Sequence, residues 1–337
     1  READYLEQTG ESVSDAAFTR ARGRQRLSCR AAVAARSEDM PDALRSFANS
    51  TASTSAAGNN PSVGFMFPGQ GSQHIGMGSG LYKYSPVFRE TFDEGAEALK
   101  ASLNIDLRDL IFERSADDEM SSQLLTQTRL AQPALYILQY ALARHWINWG
   151  VSPNVVFGHS IGEYAAATCA GVMNYETGLD LVAARGRLVS EQPAGSMLSV
   201  RARSEIVDRY LSDSVELAAV NGPELCVISG GDDAIRGVME RLEADGIAAS
   251  SLHTSHAFHS SMMEPARQEF RKIVAQHVLS APSIDMISTM TGKPIGADEA
   301  TDPEYWARQL RFGVRFSDAV RTSWGRRKPV LLEVGPR

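Results

Sequence analysis

Val155-Val156-Phe157-Gly158-His159-Ser160-Ile161-Gly162-Glu163 is the stretch whose reading decides the fold of this chain. The three apolar residues at its start read as a buried strand. The small and apolar residues that follow, 163–170, read as a helix packed closely against it. Between them lies Gly-x-Ser-x-Gly, which in a strand–turn–helix setting is a nucleophile elbow. The glycines let the chain turn sharply and leave room beside the serine. Ser160 would then stand at a helix N-terminus, where free N–H groups can hold a developing oxyanion.

Outward from the elbow, the pattern alternates. Gly64-Phe65-Met66-Phe67 is a short apolar strand running into the glycine-rich loop Pro68-Gly69-Gln70-Gly71-Ser72-Gln73. That loop lacks the Gly-Lys-Ser/Thr ending of a phosphate-binding loop. Residues 130–149 carry Leu135, Leu138, Leu142 and Trp146 at helical spacing, with Trp146 and Trp149 read as packing residues, and 175–192 is a further helix. Strands alternating with helices predict a mainly parallel sheet covered on both faces. From Ser196 the rhythm changes. Strands at 197–200, 215–220, 226–229 and 248–252, with helices at 204–211 and 232–245, give the order β-α-β-β-α-β. That order is ferredoxin-like. The expected fold is therefore α/β: an α/β-hydrolase-like core (62–195 and 257–337) with an inserted ferredoxin-like lobe (196–256). Residues 260–278 read as a helix of the core.

Composition fits a globular protein: 337 residues, 43% apolar and 22% charged, with a net charge of −7. The acidic balance argues against a nucleic-acid partner, and no apolar run is long enough to span a membrane. Cys29, Cys169 and Cys226 lack metal or redox spacing, which predicts reduced thiols in a cytoplasmic protein. Residues 1–48 contain two helix-like stretches and an arginine-rich run (Arg20, Arg22, Arg24, Arg26, Arg30) that reads as a solvated or salt-bridged face. Residues 48–62 are rich in Ser, Thr, Ala, Gly and Asn and read as a linker. The chain opens on Arg1 and closes just after a strand-like 330–334, as a domain cut from a longer polypeptide would.

A serine nucleophile needs a base. Of seven histidines, His145 and His277 lie in helical patterns, and His159 points away from Ser160 if the elbow is tight. His253, His256 and His259 cluster in a segment that returns from the small lobe to the core, so it lines the cleft between them. Spacing leaves all three open as the base. A metal site is disfavoured, because no Asp, Glu or Cys flanks the cluster at ligand spacing. No acid stands in a loop after an obvious core strand, which favours a Ser–His dyad with a backbone carbonyl orienting the imidazole.

Four segments occur in order: Phe67-Pro68-Gly69-Gln70-Gly71-Ser72-Gln73, Gly158-His159-Ser160-Ile161-Gly162-Glu163-Tyr164, Ala184-Arg185-Gly186 and His256-Ala257-Phe258-His259-Ser260. Together they resemble the signature of the malonyl-CoA:acyl-carrier-protein transacylase family, in particular the acyltransferase domain of a modular type I polyketide synthase. The resemblance covers residues 62–337. Residues 1–61 resemble the linker that follows a ketosynthase in such proteins.

The resemblance implies Ser160 as the acylated nucleophile and His259 as the base. It implies the N–H groups of Gln70 and Ile161 as the oxyanion hole, and Gln132 as a pocket residue near the acyl group. It implies the backbone carbonyl of Gln309 as the group orienting the histidine, and leaves His256 as a pocket wall or structural residue. Arg185 would grip the free carboxylate of a malonyl group, since a guanidinium fork matches a carboxylate with two parallel hydrogen bonds. His-Ala-Phe-His resembles the malonyl-selective form of its segment, with Phe258 filling the space an α-methyl would need. No metal or other cofactor is implied. The partners would be malonyl-CoA, the phosphopantetheine arm of an acyl carrier protein and an adjacent ketosynthase, with the arginine-rich run as one candidate docking surface for the carrier. The rival readings are a discrete transacylase of fatty-acid synthesis, a thioester hydrolase and a non-catalytic scaffold.

Overall fold

The computed structural model describes residues 1–23, 25, 27, 31–50, 61–115 and 117–336. They fall into two compact units, Arg1–Pro61 and Ser62–Arg337. Among the described residues the first unit has three helices, Glu2–Thr9, Val13–Gly23 and Met40–Asn49, one more than the sequence suggested. The third opens with proline at its first turn, Met40-Pro41, where a missing N–H costs nothing. Arg45 pairs with Asp4 at 3.1 Å and Glu7 at 2.6 Å, tying the third helix to the first, and Arg20 pairs with Glu2. The one described ion pair of the arginine-rich run is thus internal to this unit, while Arg22 is exposed. Arg24, Arg26, Arg30, Cys29 and most of the linker, 51–60, lie outside the described residues.

In the second unit eight strands are described: β1 (Val63–Phe67), β2 (Val155–Gly158), β3 (Ser196–Val200), β4 (Val215–Gly222), β5 (Leu225–Gly230), β6 (Ala249–Ser251), β7 (Asp285–Met286) and β8 (Val330–Glu333). One sheet has the order β7-β2-β1-β8 and all its pairs are parallel. Every residue of β2 is buried, which is why it reads as a continuous apolar run rather than an alternating one. The helices Pro86–Leu103, Thr128–Asn148 and Tyr175–Ser190 pack on one another beside this sheet. The long helix begins two residues earlier than its apolar pattern, and Trp149 at its end is 67% exposed while its ring packs against those of His145 and Trp146.

The second sheet has the order β4-β5-β3-β6 and is antiparallel throughout. With Asp232–Ala244 and the short Ser204–Val207 helix, which tightens into a 3-10 turn at Asp208–Tyr210, it is the ferredoxin-like lobe. One face packs Leu198, Val200, Cys226 and Ile228 against Ile235, Val238 and Leu242. The other face presents Met197, Ala218, Ala219 and Val227 to Phe258, Val314 and Phe316. Residues 313–315 extend this lobe: Val314 N–H donates to Ala218 O, and Val220 N–H to Val314 O, both at 2.8 Å. The helix expected over 260–278 is a 3-10 turn, Ser261–Met263, followed by Glu264–Val274.

Candidate active site

The elbow forms as its residues require. β2 ends at Gly158 and a helix starts at Gly162 (Gly162–Cys169). A Cβ on Gly158 would collide with the backbone of Gly162, and one on Gly162 with the carbonyl of Phe67. Only glycine permits this approach of strand and helix. Between them Ser160 takes φ 50°, in the left-handed region.

Ser160 Oγ lies 2.8 Å from His259 Nε2, although the two are 99 residues apart in sequence. His259 also has a left-handed backbone, φ 59°. Such conformations cost on the order of 1–3 kcal/mol each in non-glycine residues and persist where surrounding structure holds them. His259 Nδ1 lies 2.8 Å from the carbonyl oxygen of Phe312, which places the ring proton on Nδ1 and leaves Nε2 to accept from the serine hydroxyl. Burial, and after it the positive charge of Arg185, hold the His259 imidazole down to about 3, so it is neutral at neutral pH.

The orienting carbonyl is therefore that of Phe312, not of Gln309. Gln309 lies inside the helix Pro303–Arg311, whose carbonyls point along its axis. Phe312 is the first extended residue beyond it (ψ 158°), so its carbonyl turns away and meets the imidazole. Gln309 contributes its side chain instead: Nε2 donates to the Ser160 carbonyl at 2.8 Å and pins the elbow. Glu163, fully buried, accepts from the hydroxyls of Thr289 and Tyr305, and Thr289 also reaches the Gly158 carbonyl at 2.8 Å. The elbow is thus held by side chains more than a hundred residues away.

Arg185 is 3% exposed on the inner face of Tyr175–Ser190. Nη1 donates to Gln132 Oε1 at 2.7 Å and Nη2 to Ser160 Oγ at 3.2 Å, while Nε has no partner. Among the described residues no carboxylate lies within ion-pair distance of it. Gln132 is oriented in turn by Thr128, at 2.8 Å, and Thr128 donates to Gln70 Oε1 at 2.9 Å.

Ser160, His259, Arg185 and Gln132 line one cavity of about 190 Å³, with Met197, Ala218, Val227, Leu252 and Phe258 as its apolar wall. Gln70 and Ile161 border it, and among the described residues no hydrogen bond engages the backbone N–H of either. A larger surface depression beside Tyr140 and Tyr175, about 690 Å³, contains no nucleophile–base pair. His256 does not line the 190 Å³ cavity; its ring packs on Phe258 with centroids 6.1 Å apart, and Nδ1 meets Ser255 Oγ at 2.7 Å. His253 lines the cavity instead. The reason is local: with Phe258 and His259 turned inward, the ring of His256 lies behind Phe258. His159 turns from Ser160 as a tight elbow demands, its Nε2 2.8 Å from Asn221 Oδ1 on β4. Nothing in the sequence near either residue marks that pair.

A second Ser–His contact, Ser85 Oγ to His145 Nδ1 at 2.8 Å, is of another kind. Ser85 caps the helix Pro86–Leu103, accepting from Phe88 N–H, and both side chains are buried away from the cavity.

Three buried histidines, His145, His159 and His259, have imidazoles held below their ordinary range by desolvation. A histidine kept neutral by the fold takes up its proton first in the unfolded chain. Stability is therefore full above about pH 6.5 and falls as pH drops from there: His259 contributes a loss of at most about 1.4 kcal/mol per unit down to its value of about 3, and His145 and His159 act in the same direction. The unfolding midpoint is expected to be lower at pH 5 than at pH 7, with His259→Gln flattening part of that slope. An unchanged slope in the variant would contradict the assignment. Glu163, pushed up by burial, acts in the opposite sense and offsets part of the loss.

Residues 64–337 match the family model described as the acyl transferase domain, and the chain belongs to that family. Its fold and family are those of the acyltransferase domains of polyketide synthases and of FabD. It is 45% identical over 273 residues to the mycoketide-CoA synthase of Mycobacterium tuberculosis, covering 81% of this chain and 6% of that protein's length. The acyl transferase domain of SpnD, solved in complex with 2-(pent-4-yn-1-yl)malonyl, superposes with a TM-score of 0.88 at 33% identity, over 99% of this chain and 79% of that one. FabD from Acinetobacter baumannii gives 0.74 at 28% identity, over 83% and 88%.

Proposed function

We infer that this domain takes an acyl group, malonyl in preference, from coenzyme A onto Ser160 and passes it to the phosphopantetheine thiol of an acyl carrier protein. His259 Nε2 accepts the Ser160 proton as Oγ attacks the thioester carbonyl. The N–H groups of Gln70 and Ile161 stabilise the tetrahedral oxyanion. The C–S bond breaks, the CoA thiolate takes the proton back from His259, and a malonyl-serine ester remains. The carrier thiol then repeats these steps in reverse order. The dyad needs neither a metal nor a redox cofactor for this.

The observation that carries this reading is Arg185: a buried guanidinium on the nucleophile, bonded only to neutral oxygens. An acyl group bearing a second carboxylate supplies the charge it lacks. The substituted malonyl group of the SpnD complex belongs to the same chemical class. Phe258, in the apolar wall, favours malonyl over methylmalonyl, though one methyl is worth only about 1–3 kcal/mol. In this reading the core is 62–195 with 257–337 and the small lobe is 196–256. Residues 1–61 link to a ketosynthase in a cytoplasmic polyketide-forming polypeptide.

Intact-protein mass after brief incubation with malonyl-, methylmalonyl- and acetyl-CoA tests the reading. A strong malonyl adduct, a weaker methylmalonyl one and a trace with acetyl-CoA are expected. Steady CoA release without an adduct would make the domain a hydrolase, and neither adduct nor release would make it a scaffold.

A further inference from the structure

Glu216, on β4 of the small lobe, touches neither Ser160 nor the His259 ring. Its carboxylate nonetheless meets both chain segments that make the His259–Phe312 hydrogen bond. Oε1 accepts the backbone N–H of Ser261, two residues after His259, at 2.5 Å. Oε2 pairs with Nη2 of Arg311, the residue before Phe312, at 2.9 Å. The Arg311 side chain is only 12% exposed, and its guanidinium lies 5.1 Å from the centroid of the Phe312 ring. Through the Ser261 N–H on one side and the Arg311 guanidinium on the other, one carboxylate thus links the two segments that bring Nδ1 and the Phe312 carbonyl to 2.8 Å.

Both clamped segments need holding. His259 has a left-handed backbone that relaxes unless its neighbours fix it. Phe312 follows a helix end, where a carbonyl has no partner within the helix. The two neutral tautomers of an imidazole are close in energy, so the one present is set by an acceptor held at hydrogen-bond distance from one nitrogen. We propose that Glu216 is a positioning residue for His259, a clamp from the small lobe that keeps the proton on Nδ1 and Nε2 open toward Ser160. The proposal rests on the reading of His259 as the base.

Its test is the nitrogen NMR spectrum of the protein labelled with 15N-histidine, with the His259 signals assigned by their loss in His259→Gln. The wild type is expected to show His259 protonated on Nδ1 alone. Glu216→Leu is expected to show mixed tautomers, with kcat for Ser160 acylation lowered about tenfold and KM nearly unchanged. Glu216→Gln, which retains an acceptor for the Ser261 N–H, is expected to recover part of both. Glu224→Gln, which breaks an exposed pair with Arg203 at 3.3 Å in the same lobe, is expected to alter neither. If Glu216→Leu does not fold, Arg311→Met removes the Phe312 half of the clamp and is read in the same way. A Glu216→Leu or Arg311→Met protein that keeps a pure Nδ1–H tautomer and full kcat overturns the proposal. The spectrum needs no substrate. A wild type that reacts with no acyl-CoA would therefore defeat the acyl-transfer reading while the tautomer still decides for or against the clamp.

Discussion

Ser160→Ala is expected to lose the malonyl adduct completely and to lower malonyl transfer at least about a thousandfold. The argument is one of geometry. Ser160 Oγ is 2.8 Å from a neutral imidazole nitrogen and 3.2 Å from a guanidinium N–H, so the hydroxyl can donate to the first while accepting from the second. Alanine leaves the base and the free N–H groups of the cavity in place but removes the atom that is acylated. Whatever rate remains measures binding and oxyanion stabilisation without covalent catalysis. Intact mass and transfer to a carrier protein check this together. An adduct of equal mass in the variant would move the nucleophile elsewhere. Ser85, with His145 beside it, is a poor alternative, because it is 8% exposed and its oxygen caps a helix.

Arg185→Met should invert the acyl preference. In the wild type, acetyl-CoA leaves a desolvated cation unpaired, a penalty of roughly 3–5 kcal/mol, or a few hundredfold or more in favour of malonyl. Methionine fills a similar volume with no charge. Malonyl loading is expected to fall by about that factor, because the substrate carboxylate would now be the unpaired ion, and acetyl loading is expected to rise. The unfolding midpoint should hold or increase, since burial already disfavours the charged guanidinium in the unliganded protein. There is a second consequence at the base. After desolvation, the Arg185 charge is the largest cause of the depressed His259 basicity, so a bound carboxylate that neutralises it makes His259 a better proton acceptor when the correct substrate arrives. Adduct formation with each CoA ester, measured against the unfolding midpoint, tests all three expectations. Unchanged malonyl selectivity in Arg185→Met would remove the arginine from substrate recognition.

The features legible in the sequence are those in which function and local geometry share the same residues. Gly158 and Gly162 both permit the elbow and announce it, because any side chain there would collide across the turn. The continuous apolar β2 is legible as a buried parallel strand for the same reason. The strand–helix order over 196–251 survives intact, since each element is set by short-range periodicity. Arg185 and Gln132 are legible only through the ordered motifs. Nothing in their own spacing shows that one meets the other across 53 residues.

What tertiary structure alone decided is the second layer of contacts around the dyad. The orienting carbonyl moved from Gln309 to Phe312 because the chain leaves the helix at Phe312 and its carbonyl turns off the helix axis, a change finer than any pattern of side chains records. His253 took the place of His256 beside the cavity through the path of an irregular loop, which has no periodicity to read. From the small lobe, Asn221 meets His159 of the elbow and Glu216 meets the backbone two residues beyond the base, at separations of 62 and 45 residues. The sequence by itself determined the two sheets and the elbow and singled out Ser160, His259 and Arg185 as candidates, because local sterics and short ordered motifs encode them. The folded chain determined which backbone carbonyl, which histidine and which acid surround them, because those contacts exist only once the two lobes close on one another.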